Sequence, residues 1–403
     1  MKVTAIIAEY NPFHNGHKLQ IDEIKTHTDS DQIIVVLSGA FTQRGVPAMV
    51  DQHIRAHMAI ACGADMVLEL PVCYATGSAQ YFARGAVALL NQLGVVTSLH
   101  FGSESGDVNE LTMAAGSLAD LSPAQHEKIM ALQQQGYSYP KARSMALGLE
   151  DEIINNPNNI LGIAYIQELL SQKSQIKPCT IKRTGASYLE EDLHKEGLSS
   201  AMSIRKVLEN GEDLSSIKMH VPDKVYSIMQ DSDTFHPVFL DDFSDFLLYA
   251  LHSNLQNGYE GFYDVSSFLS NTFRNNLPRF ESFTQFCELC KSKNYTYTRI
   301  NRSLLHIMLQ IRQDFVDSLE TVGYVPYARL LGFSEHGKEL FSSIKANASI
   351  PVIAKASKAS SQLSGLALDA YHQDLFVSHL YQSIRARKYH TPLRYEYSQE
   401  IIH

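Results

Sequence analysis

Residues 1–110 predict an α/β fold that contains a parallel sheet. Short apolar segments alternate there with stretches whose apolar residues recur at helical spacing, and this alternation is typical of βαβ units. The first apolar segment, Val3–Ala8, is followed by a loop with a proline, a glycine and two histidines. Such a loop between a strand and a helix is typical of a phosphate site beside a nucleotide-binding sheet.

The individual elements follow from the same patterns in chain order. The predicted strands are Val3–Ala8, Ile33–Leu37, Met66–Leu70, Ser98–Phe101 and Thr180–Arg183. The predicted helices are His17–Lys25, Gln52–Ala61 and Gln80–Gln92, then a mostly helical segment over residues 111–180, and after residue 215 Asp241–His252, Glu281–Lys291, Arg299–Val322, Leu363–Ala370 and Gln373–Arg385. A ligand is expected at the carboxyl ends of the strands, in one crevice shared by Gly39, Glu69–Pro71 and Gly102.

Length and composition predict a cytoplasmic enzyme with two domains. The chain has 403 residues, of which 44% are hydrophobic and 19% charged, and these values are ordinary for globular proteins. No apolar run approaches the ~20 residues of a membrane span, and the secretory signal pattern is missing. We place the division at residue 215, with a nucleotide-binding catalytic domain over residues 1–215 and a mainly helical domain over residues 216–403.

Charge and cysteine content narrow the function classes further. The net charge is −9, so RNA binding requires local basic patches, because phosphate contacts depend on clustered Lys and Arg. The five cysteines are scattered and odd in number, which does not make a disulfide framework. Cys287 and Cys290 have the spacing of half a zinc ribbon or of a redox pair, but their apolar neighbours favour structural thiols on a helix.

The loop after the first strand has the sequence His14-Asn15-Gly16-His17. Pro12 favours a turn, Gly16 allows close backbone approach, and a helix beginning just beyond would point its free N–H groups at a bound anion. The two imidazoles are then placed to donate to a nucleoside triphosphate as charge develops during attack at the α-phosphate. Histidines with a purely structural role are the alternative, and a two-histidine zinc site is a weaker one.

This loop resembles the HxGH signature of the nucleotidyltransferase superfamily, which includes class I aminoacyl-tRNA synthetases. That superfamily pairs the signature with a second motif of the type Ser-Ser/Thr-x-Ile-Arg, and Ser199–Lys206 is similar to it. The serines precede an apolar-periodic stretch, where N-cap residues stand. Met202 occupies a position where the superfamily often has threonine, whereas Ser200, Ser203 and Arg205 match. The resemblance implies a Rossmann-like sheet with a mainly α-helical C-terminal domain.

Over essentially the whole chain, the sequence resembles the bacterial tRNA(Met) cytidine acetate ligase family. The segments that carry this resemblance are Glu9–His17, Ser38–Gly45, Gly63–Pro71, Phe101–Glu104 and Pro157–Gly162. It implies activation of acetate by ATP as acetyl-adenylate and transfer of the acetyl group to N4 of the wobble cytidine of elongator tRNA(Met). ATP is the implied cofactor, with Mg²⁺ beside it. No membrane and no protein partner are implied.

The resemblance also implies a set of site residues, with His14 and His17 as the catalytic pair. The residues expected to bind ATP are Ile7, Ala8, Glu9, Tyr10, Asn11, Pro12, Phe13, His14, Asn15, Gly16, His17, Lys18, Leu19, Gln20, Gly102, Asn158, Arg183, Ser203 and Arg205. An amide can satisfy adenine or ribose edges and a guanidinium can clamp phosphate oxygens. The alternatives are a helix N-cap for Asn158 or Asn159 and a solvated charge for Arg183.

A basic and aromatic segment over residues 291–302 is the predicted RNA contact. Its cations and tyrosines are Lys291, Lys293, Tyr295, Tyr297, Arg299 and Arg302. Such residues can hold RNA phosphates and stack on splayed anticodon bases. The alternative is a solvated helix start whose tyrosines pack inward. Residues 385–390 form a second basic segment that is a weaker candidate for the same role.

Two other functions account for the phosphate motifs. One is an adenylyltransferase that makes a dinucleotide-type cofactor, although it leaves the helical C-terminal half with its basic segment unexplained. The other is a protein that binds ATP and RNA without turnover. Both remain open at the level of the sequence.

Overall fold

One sheet runs through the computed structural model, which describes residues 1–119, 122–135, 139–183, 193, 198–231, 233, 235–292 and 295–403. Its strands are β1 (Val3–Ala8), β2 (Gln32–Ser38), β3 (Met66–Leu70), β4 (Ser98–Ser103), β5 (Lys177–Lys182), β6 (Ala328–Phe333) and β7 (Val352–Ile353). Their spatial order is β5-β4-β1-β2-β3-β6-β7. Strands β1 to β5 are parallel, β6 is antiparallel to β3, and β7 is parallel to β6.

The predicted strands of the first part of the chain are confirmed. Strands β1, β2 and β3 are mostly apolar and largely buried on both faces of the sheet. Strands β1 and β3 have the predicted bounds, and β2 and β4 extend one or two residues further. Strand β5 begins three residues before the predicted Thr180 and ends at Lys182. The predicted class, a parallel α/β sheet with a mainly helical C-terminal half, is confirmed.

Helices connect the strands and cover both faces of the sheet. In residues 1–215 they are α1 (Asn15–His27), α2 (Gln52–Ala61), α3 (Val72–Ala75), α4 (Ala79–Leu93), α5 (Val108–Ala119), α6 (Pro123–Gln134), α7 (Tyr139–Leu147), α8 (Asp151–Asn155), α9 (Pro157–Ser171) and α10 (Ala201–Glu209). Beyond them lie α11 (Asp223–Met229), α12 (Ser244–Asn254), α13 (Ser267–Asn276), α14 (Phe283–Cys290), α15 (Tyr297–Met308), α16 (Gln313–Ser318), α17 (Gly337–Asn347), α18 (Ala359–Gln362) and α19 (Gly365–Tyr389). Short 3-10 turns cover Leu214–His220, Leu240–Phe243, Leu277–Arg279, Leu319–Val322, Ala356–Lys358 and Glu396–Ser398.

Three sequence predictions in the C-terminal half were wrong in detail. The long helix expected over Arg299–Val322 is broken after Met308, where Gln310 adopts a positive φ of 56°. The two helices expected over Leu363–Ala370 and Gln373–Arg385 form the single helix α19, because neither Gly nor Pro interrupts residues 371–372. Strands β6 and β7 were not predicted at all.

Side chains of the sheet alternate between two cores, one on each face. One core contains Ala5, Ile34 and Leu68 and is covered by helices that include α4, α9, α15 and α19. The other contains Ile6 and Val35 and is covered by α1, α2, α10 and α11. Helices α1 and α10 therefore lie on the same face, so that the two predicted phosphate motifs can meet at its edge.

In the part of the chain that the structure describes, no helix combines the length and apolar character that crossing a membrane requires. All five cysteines are free thiols. Cys287 and Cys290 are buried on α14, as the structural interpretation of this pair predicted.

Candidate functional site

A cavity of about 150 Å³ opens at the carboxyl ends of β1 and β4. Its walls come from the loop after β1, the start of α1, the loop after β2, the end of β4, the start of α9 and the start of α10. The lining residues are Ile7, Ala8, Glu9, Tyr10, Asn11, His14, His17, Gln20, Thr42, Gln43, Arg44, Val46, Phe82, Phe101, Gly102, Asn158, Leu161, Tyr165, Arg183, Ser200, Ala201, Met202 and Arg205. The structure thus brings together most of the residues predicted from the two motifs and the segment between them.

The two histidines are held by the first turn of α1. His14 is the N-cap residue, and its Nδ1 accepts the Gly16 N–H at 3.0 Å. The Nδ1 of His17 in turn accepts the His14 N–H at 3.2 Å. Because a neutral imidazole that accepts at Nδ1 carries its proton on Nε2, both rings have an Nε2–H to donate.

The electrostatics of the cavity keep both rings neutral. Burial, with Arg183 and Arg205 nearby, lowers the pKa of His14 to about 3. Burial, with His14 and Arg183 nearby, also lowers the pKa of His17 well below its usual value. Both histidines therefore act as neutral Nε2–H donors at physiological pH, and neither is an imidazolium before a ligand arrives.

The second motif reaches the first through Arg205. Helix α10 begins after Ser200, whose side chain accepts the Ser203 N–H at 3.1 Å. One turn later the Arg205 guanidinium donates to the carbonyl oxygen of Asn11, with an NH1–O distance of 2.6 Å. Residues about 190 positions apart in the sequence thus form one wall.

Ser203 does not line the cavity. It is fully buried, and its hydroxyl donates to the Ser200 carbonyl at 2.9 Å, as a helix-start serine does. Ser200, Ala201 and Met202 line the cavity in its place.

The wall opposite the histidines contains Gly102, Arg183 and Asn158. A Cβ on Gly102 would lie 3.2 Å from Cγ of Arg183, so the missing side chain lets the arginine stem lie over the strand end. The Nδ2 of Asn158 donates to Oε1 of Glu104 at 2.7 Å. Asn159 does not line the cavity, because its Oδ1 accepts the backbone N–H groups of Glu104 and Ser105. Of the two asparagines, Asn158 is the one that lines the cavity.

Several residues in the predicted set flank the cavity without lining it, namely Pro12, Phe13, Asn15, Gly16, Lys18 and Leu19. Phe13 is buried and its ring packs edge-on against His17, with centroids 5.5 Å apart. Lys18 pairs with Asp22, and Asn15 donates to the Met219 carbonyl at 2.8 Å. These residues hold the loop and the helix in place.

The expected crevice shared by three strand ends was wrong in part. Gly102 lines the cavity, but Gly39 and Glu69 do not. Glu69 instead lies beside Gly39 and pairs with Arg329 of β6, with an NH1–Oε2 distance of 2.6 Å. Strand β6, which was not predicted, pairs with this end of β3, and its Arg329 forms an ion pair with the Glu69 carboxylate.

Sequence reasoning missed two groups of lining residues. Thr42, Gln43, Arg44 and Val46 follow β2, and their position after a parallel strand was the available signal. Phe82, Phe101, Leu161 and Tyr165 form an apolar patch. They had no distinguishing signal, since apolar residues in helices and strands usually belong to the core.

The predicted RNA segment at the start of α15 is partly engaged within the protein. Lys291 is exposed and lies 3.7 Å from a Glu288 carboxylate oxygen. Arg299 and Arg302 both pair with Asp264, at 3.3 Å each.

The two tyrosines of this segment are partly buried. The ring of Tyr295 stacks on Phe268, with centroids 5.2 Å apart, and Tyr297 begins α15. Lys293 lies outside the described residues.

In the second basic segment, residues 385–390, Arg387, Lys388 and His390 are exposed but Arg385 is not. Arg385 is buried and its Nε donates to Gln382 at 2.7 Å. Lys388 pairs with Asp242, at 2.7 Å. Arg385 therefore belongs to the interior and is not available as a surface cation.

The part of the chain that the structure describes contains no group of three or more His, Cys, Asp or Glu side chains arranged to hold a metal ion. In the HxGH loop, both Nδ1 atoms are already occupied by backbone N–H groups. The loop geometry therefore favours donation to an anion over ligation of zinc.

Comparison with known proteins gives similarities over the whole chain. Residues 1–394 match the family model described as HIGH Nucleotidyl Transferase. A protein of Clostridium perfringens (strain SM101 / Type A) named tRNA(Met) cytidine acetate ligase is 38% identical over 373 residues, which cover 89% of this chain and 91% of that protein. A protein of the same name from Thermoanaerobacter sp. (strain X514) is 38% identical over 393 residues, which cover 94% of this chain and 95% of that protein.

Two crystal structures of Thermotoga maritima TmcAL are also similar, each at 32% sequence identity and covering 100% of this chain and 99% of that one. The apo structure (form I) gives a TM-score of 0.91. The structure bound with alpha-thio ATP (form II) gives a TM-score of 0.89.

Proposed function

Because the chain belongs to the tRNA(Met) cytidine acetate ligase family of HIGH nucleotidyl transferases, we propose that it is an ATP-dependent ligase that acetylates elongator tRNA(Met) with acetate. It forms acetyl-adenylate from acetate and ATP and transfers the acetyl group to N4 of the wobble cytidine. A relative of the same fold is bound with alpha-thio ATP, which supports ATP as the nucleotide.

The observation that carries the proposal is the contact between Arg205 and the Asn11 carbonyl, at 2.6 Å. It joins the two phosphate motifs into one cavity with two neutral histidine donors. The residues that line the cavity include Arg183 and Arg205, against one carboxylate, Glu9, among the lining residues that the structure describes. This excess of positive charge complements a nucleoside triphosphate.

In the first step, an acetate oxygen attacks the α-phosphorus of ATP, the bond from that phosphorus to the bridging oxygen breaks, and pyrophosphate leaves. Acetate is ionised at neutral pH, so no general base is needed. The Nε2–H groups of His14 and His17 donate to the oxygens on which charge develops, and Arg183 and Arg205 neutralise phosphate charge. Positioning and electrostatic stabilisation are the contribution of the protein.

In the second step, the exocyclic amine of cytidine attacks the carbonyl carbon of acetyl-adenylate, AMP leaves, and the amine loses a proton to solvent. The amine is a weak nucleophile because its lone pair is delocalised into the ring. The mixed anhydride supplies the driving force, provided that water is kept away from it. The apolar patch of Phe82, Phe101, Leu161 and Tyr165 is suited to that exclusion.

The predicted Mg²⁺ finds few ligands among the lining residues. Glu9 is their one carboxylate, and its Oε1 accepts the Gln43 N–H at 2.9 Å. Magnesium usually requires one or two carboxylates besides phosphate oxygens and water. The described residues therefore do not build a magnesium site of their own, and Mg²⁺ stays a prediction for an ion carried by the triphosphate.

We assign ATP binding to residues 1–215 and tRNA binding to residues 216–403. Among the described residues, all those that line the cavity belong to the first segment. The basic segment at the start of α15 belongs to the second. The two segments share the sheet, since β6 pairs with β3 and β7 with β6, so tRNA held by the second segment would lie against the first.

One assay separates the proposal from its two rivals. Labelled acetate is incubated with the protein and total tRNA, with and without ATP, and pyrophosphate release is measured in parallel. ATP-dependent label in tRNA with acetate-dependent pyrophosphate release supports the ligase. Release that depends on phosphopantetheine or a mononucleotide would favour the cofactor adenylyltransferase, and no release with any of these would favour the non-catalytic protein.

A further inference from the structure

The loop Thr42–Val46 forms one wall of the cavity and is a rigid turn. The Thr42 N–H donates to the Val46 carbonyl at 3.0 Å, and the Gly45 N–H donates to the Thr42 carbonyl at 2.9 Å. The Gln43 N–H donates to Glu9, which fixes the turn to the loop after β1. Arg44, in the middle of this turn, is one of the residues that line the cavity.

The back of this turn rests directly on α15. Gly45 has a φ of +75°, and a Cβ placed on it would lie 2.5 Å from the backbone nitrogen of Arg302 and 2.8 Å from the carbonyl carbon of Asn301. Only a glycine permits both this backbone conformation and this approach. The cavity wall and the basic helix start are therefore in direct contact, although about 260 residues separate them in the sequence.

The contact region is cationic and incompletely hydrogen-bonded. Arg299 and Arg302 share the single carboxylate of Asp264. The Nε of Arg299 is the atom that lies 3.3 Å from Asp264, whereas the Nε of Arg302 and the Oδ1 of Asn301 are buried without a hydrogen-bond partner among the described residues. The side chain of Arg299 is 41% exposed, so its guanidinium is accessible to a phosphate from solution.

We propose that Arg44, with Arg299 and Arg302 behind it, forms a track for the phosphate backbone of the tRNA, and that Arg44 contacts a phosphate adjoining the target cytidine. This rests on the proposed function, because the second step requires one nucleotide of the RNA to enter the cavity. A nucleotide within a chain brings its flanking phosphates, and guanidinium groups bind phosphate bidentately. Arg183 and Arg205, on the other walls, are left for ATP.

The test compares Arg44→Ala with Lys338→Ala, which removes an exposed cation paired with Glu335. Lys338 lies just beyond the end of β6 that pairs with Met66, at the edge of the sheet opposite the cavity. Direct binding of elongator tRNA(Met) is measured across a salt series. Acetate-dependent exchange between ATP and pyrophosphate is measured without tRNA.

Arg44→Ala is expected to weaken tRNA binding about tenfold and to lower the slope of log affinity against log salt by about one. Its exchange rate should fall by much less. Arg44→Lys should restore the slope but only part of the affinity, since an ammonium lacks the bidentate geometry. The double variant Arg44→Ala/Arg299→Ala should lower the slope by about two.

Two results would overturn the track: unchanged tRNA affinity and slope in Arg44→Ala, or an exchange rate that falls as far as the affinity, which would place Arg44 in the ATP site. The tRNA measurement does not depend on acetate chemistry. If the unaltered protein shows no acetate-dependent exchange while Arg44→Ala still loses tRNA affinity with the expected slope, the ligase proposal fails and the RNA track stands.

Discussion

His14 and His17 stack with their ring centroids 3.7 Å apart, and the Nδ1 of His17 accepts the His14 N–H. The first histidine is fixed by the second, and the second is fixed against the rings of Tyr10 and Phe13. The pair is therefore a preorganised unit whose two Nε2–H groups are the remaining donors.

His17→Ala should leave the protein folded and lower acetate-dependent pyrophosphate release about 10²–10³-fold, the usual cost of one preorganised donor. His14→Ala should behave similarly. His27→Ala is the matched control, because His27 is an exposed residue at the far end of the same helix. The assay is run beside thermal melting, and near-normal adenylation by folded His14 and His17 variants would refute the site assignment.

Acid should destabilise the protein through His14. Its pKa is near 6.5 in the unfolded chain but about 3 in the folded one, so between these values only the unfolded chain binds the proton. Lowering the pH from 7 to 5 should then cost about 2 kcal/mol of unfolding free energy from this group. The variant His14→Asn keeps a good N-cap but lacks the titrating ring. Its unfolding free energy, measured by urea denaturation, should therefore fall by about 2 kcal/mol less than that of the unaltered protein between pH 7 and pH 5. An identical pH dependence in the two proteins would contradict the assignment.

Arg205→Ala should lose ATP turnover while tRNA still binds. The variant removes a guanidinium from the cavity and the hydrogen bond to the Asn11 carbonyl. Hydrogen bonds to charged groups contribute about 1.5–3 kcal/mol, which is roughly a 10- to 150-fold loss of ATP affinity. Equilibrium ATP binding and tRNA binding are measured on the same preparation. Loss of tRNA binding alone would reverse the roles that we assign to the two segments.

The basic segment is tested by replacing Lys293, Arg299 and Arg302 with alanine. The triple variant should bind tRNA more weakly and with a flatter salt dependence, each lost phosphate contact removing about one unit of slope. Acetyl-adenylate formation should persist, because Arg299 and Arg302 are not among the residues that line the cavity. Lys338→Ala/Lys345→Ala/Lys358→Ala, which removes three exposed lysines elsewhere on the protein, serves as the charge-matched control. An unchanged affinity and slope would remove this segment from the RNA-binding surface.

Arg329 should be essential for stability. It is buried between the carboxylates of Glu69 and Glu396 and so ties β3, β6 and the C-terminal segment together. Arg329→Met leaves two buried carboxylates without their cation, and breaking a buried pair costs about 3–5 kcal/mol. Urea denaturation measures this cost. Adding Glu69→Gln and Glu396→Gln to the variant should recover part of it, and a cost below about 1 kcal/mol would show that the cluster is not coupled as described.

Much of the nucleotide-binding half could be predicted from the sequence. Strands β1 to β3 are mostly apolar, and in β4 the apolar Leu99 and Phe101 alternate with polar residues. Helical spacing in α1 and α2 separates the first three strands, so local pattern alone located the sheet. The histidine loop was recognisable because Pro12, Gly16 and the two histidines lie within six residues directly after a strand. The start of α10 was recognisable from its serines and Arg205. Each of these signals lies within a few consecutive residues, so it can be recognised without knowing which segments meet in the fold.

The pairing of distant segments was decided by the tertiary structure. Strand β6 joins the sheet because its side chains fill both cores, Leu330 on one face and Leu331 on the other. Its partner β3 lies more than 250 residues earlier in the sequence, so no local pattern could predict that the two strands pair. Pairing between distant segments also explains three other features that were not predicted. Glu69 pairs with β6 instead of lining the crevice, Gly45 contacts Arg302, and Arg385 is buried. Residue type and spacing determine which segments form strands and helices and which side chains can donate hydrogen bonds. Which distant segments then pair depends on which apolar surfaces are buried against each other.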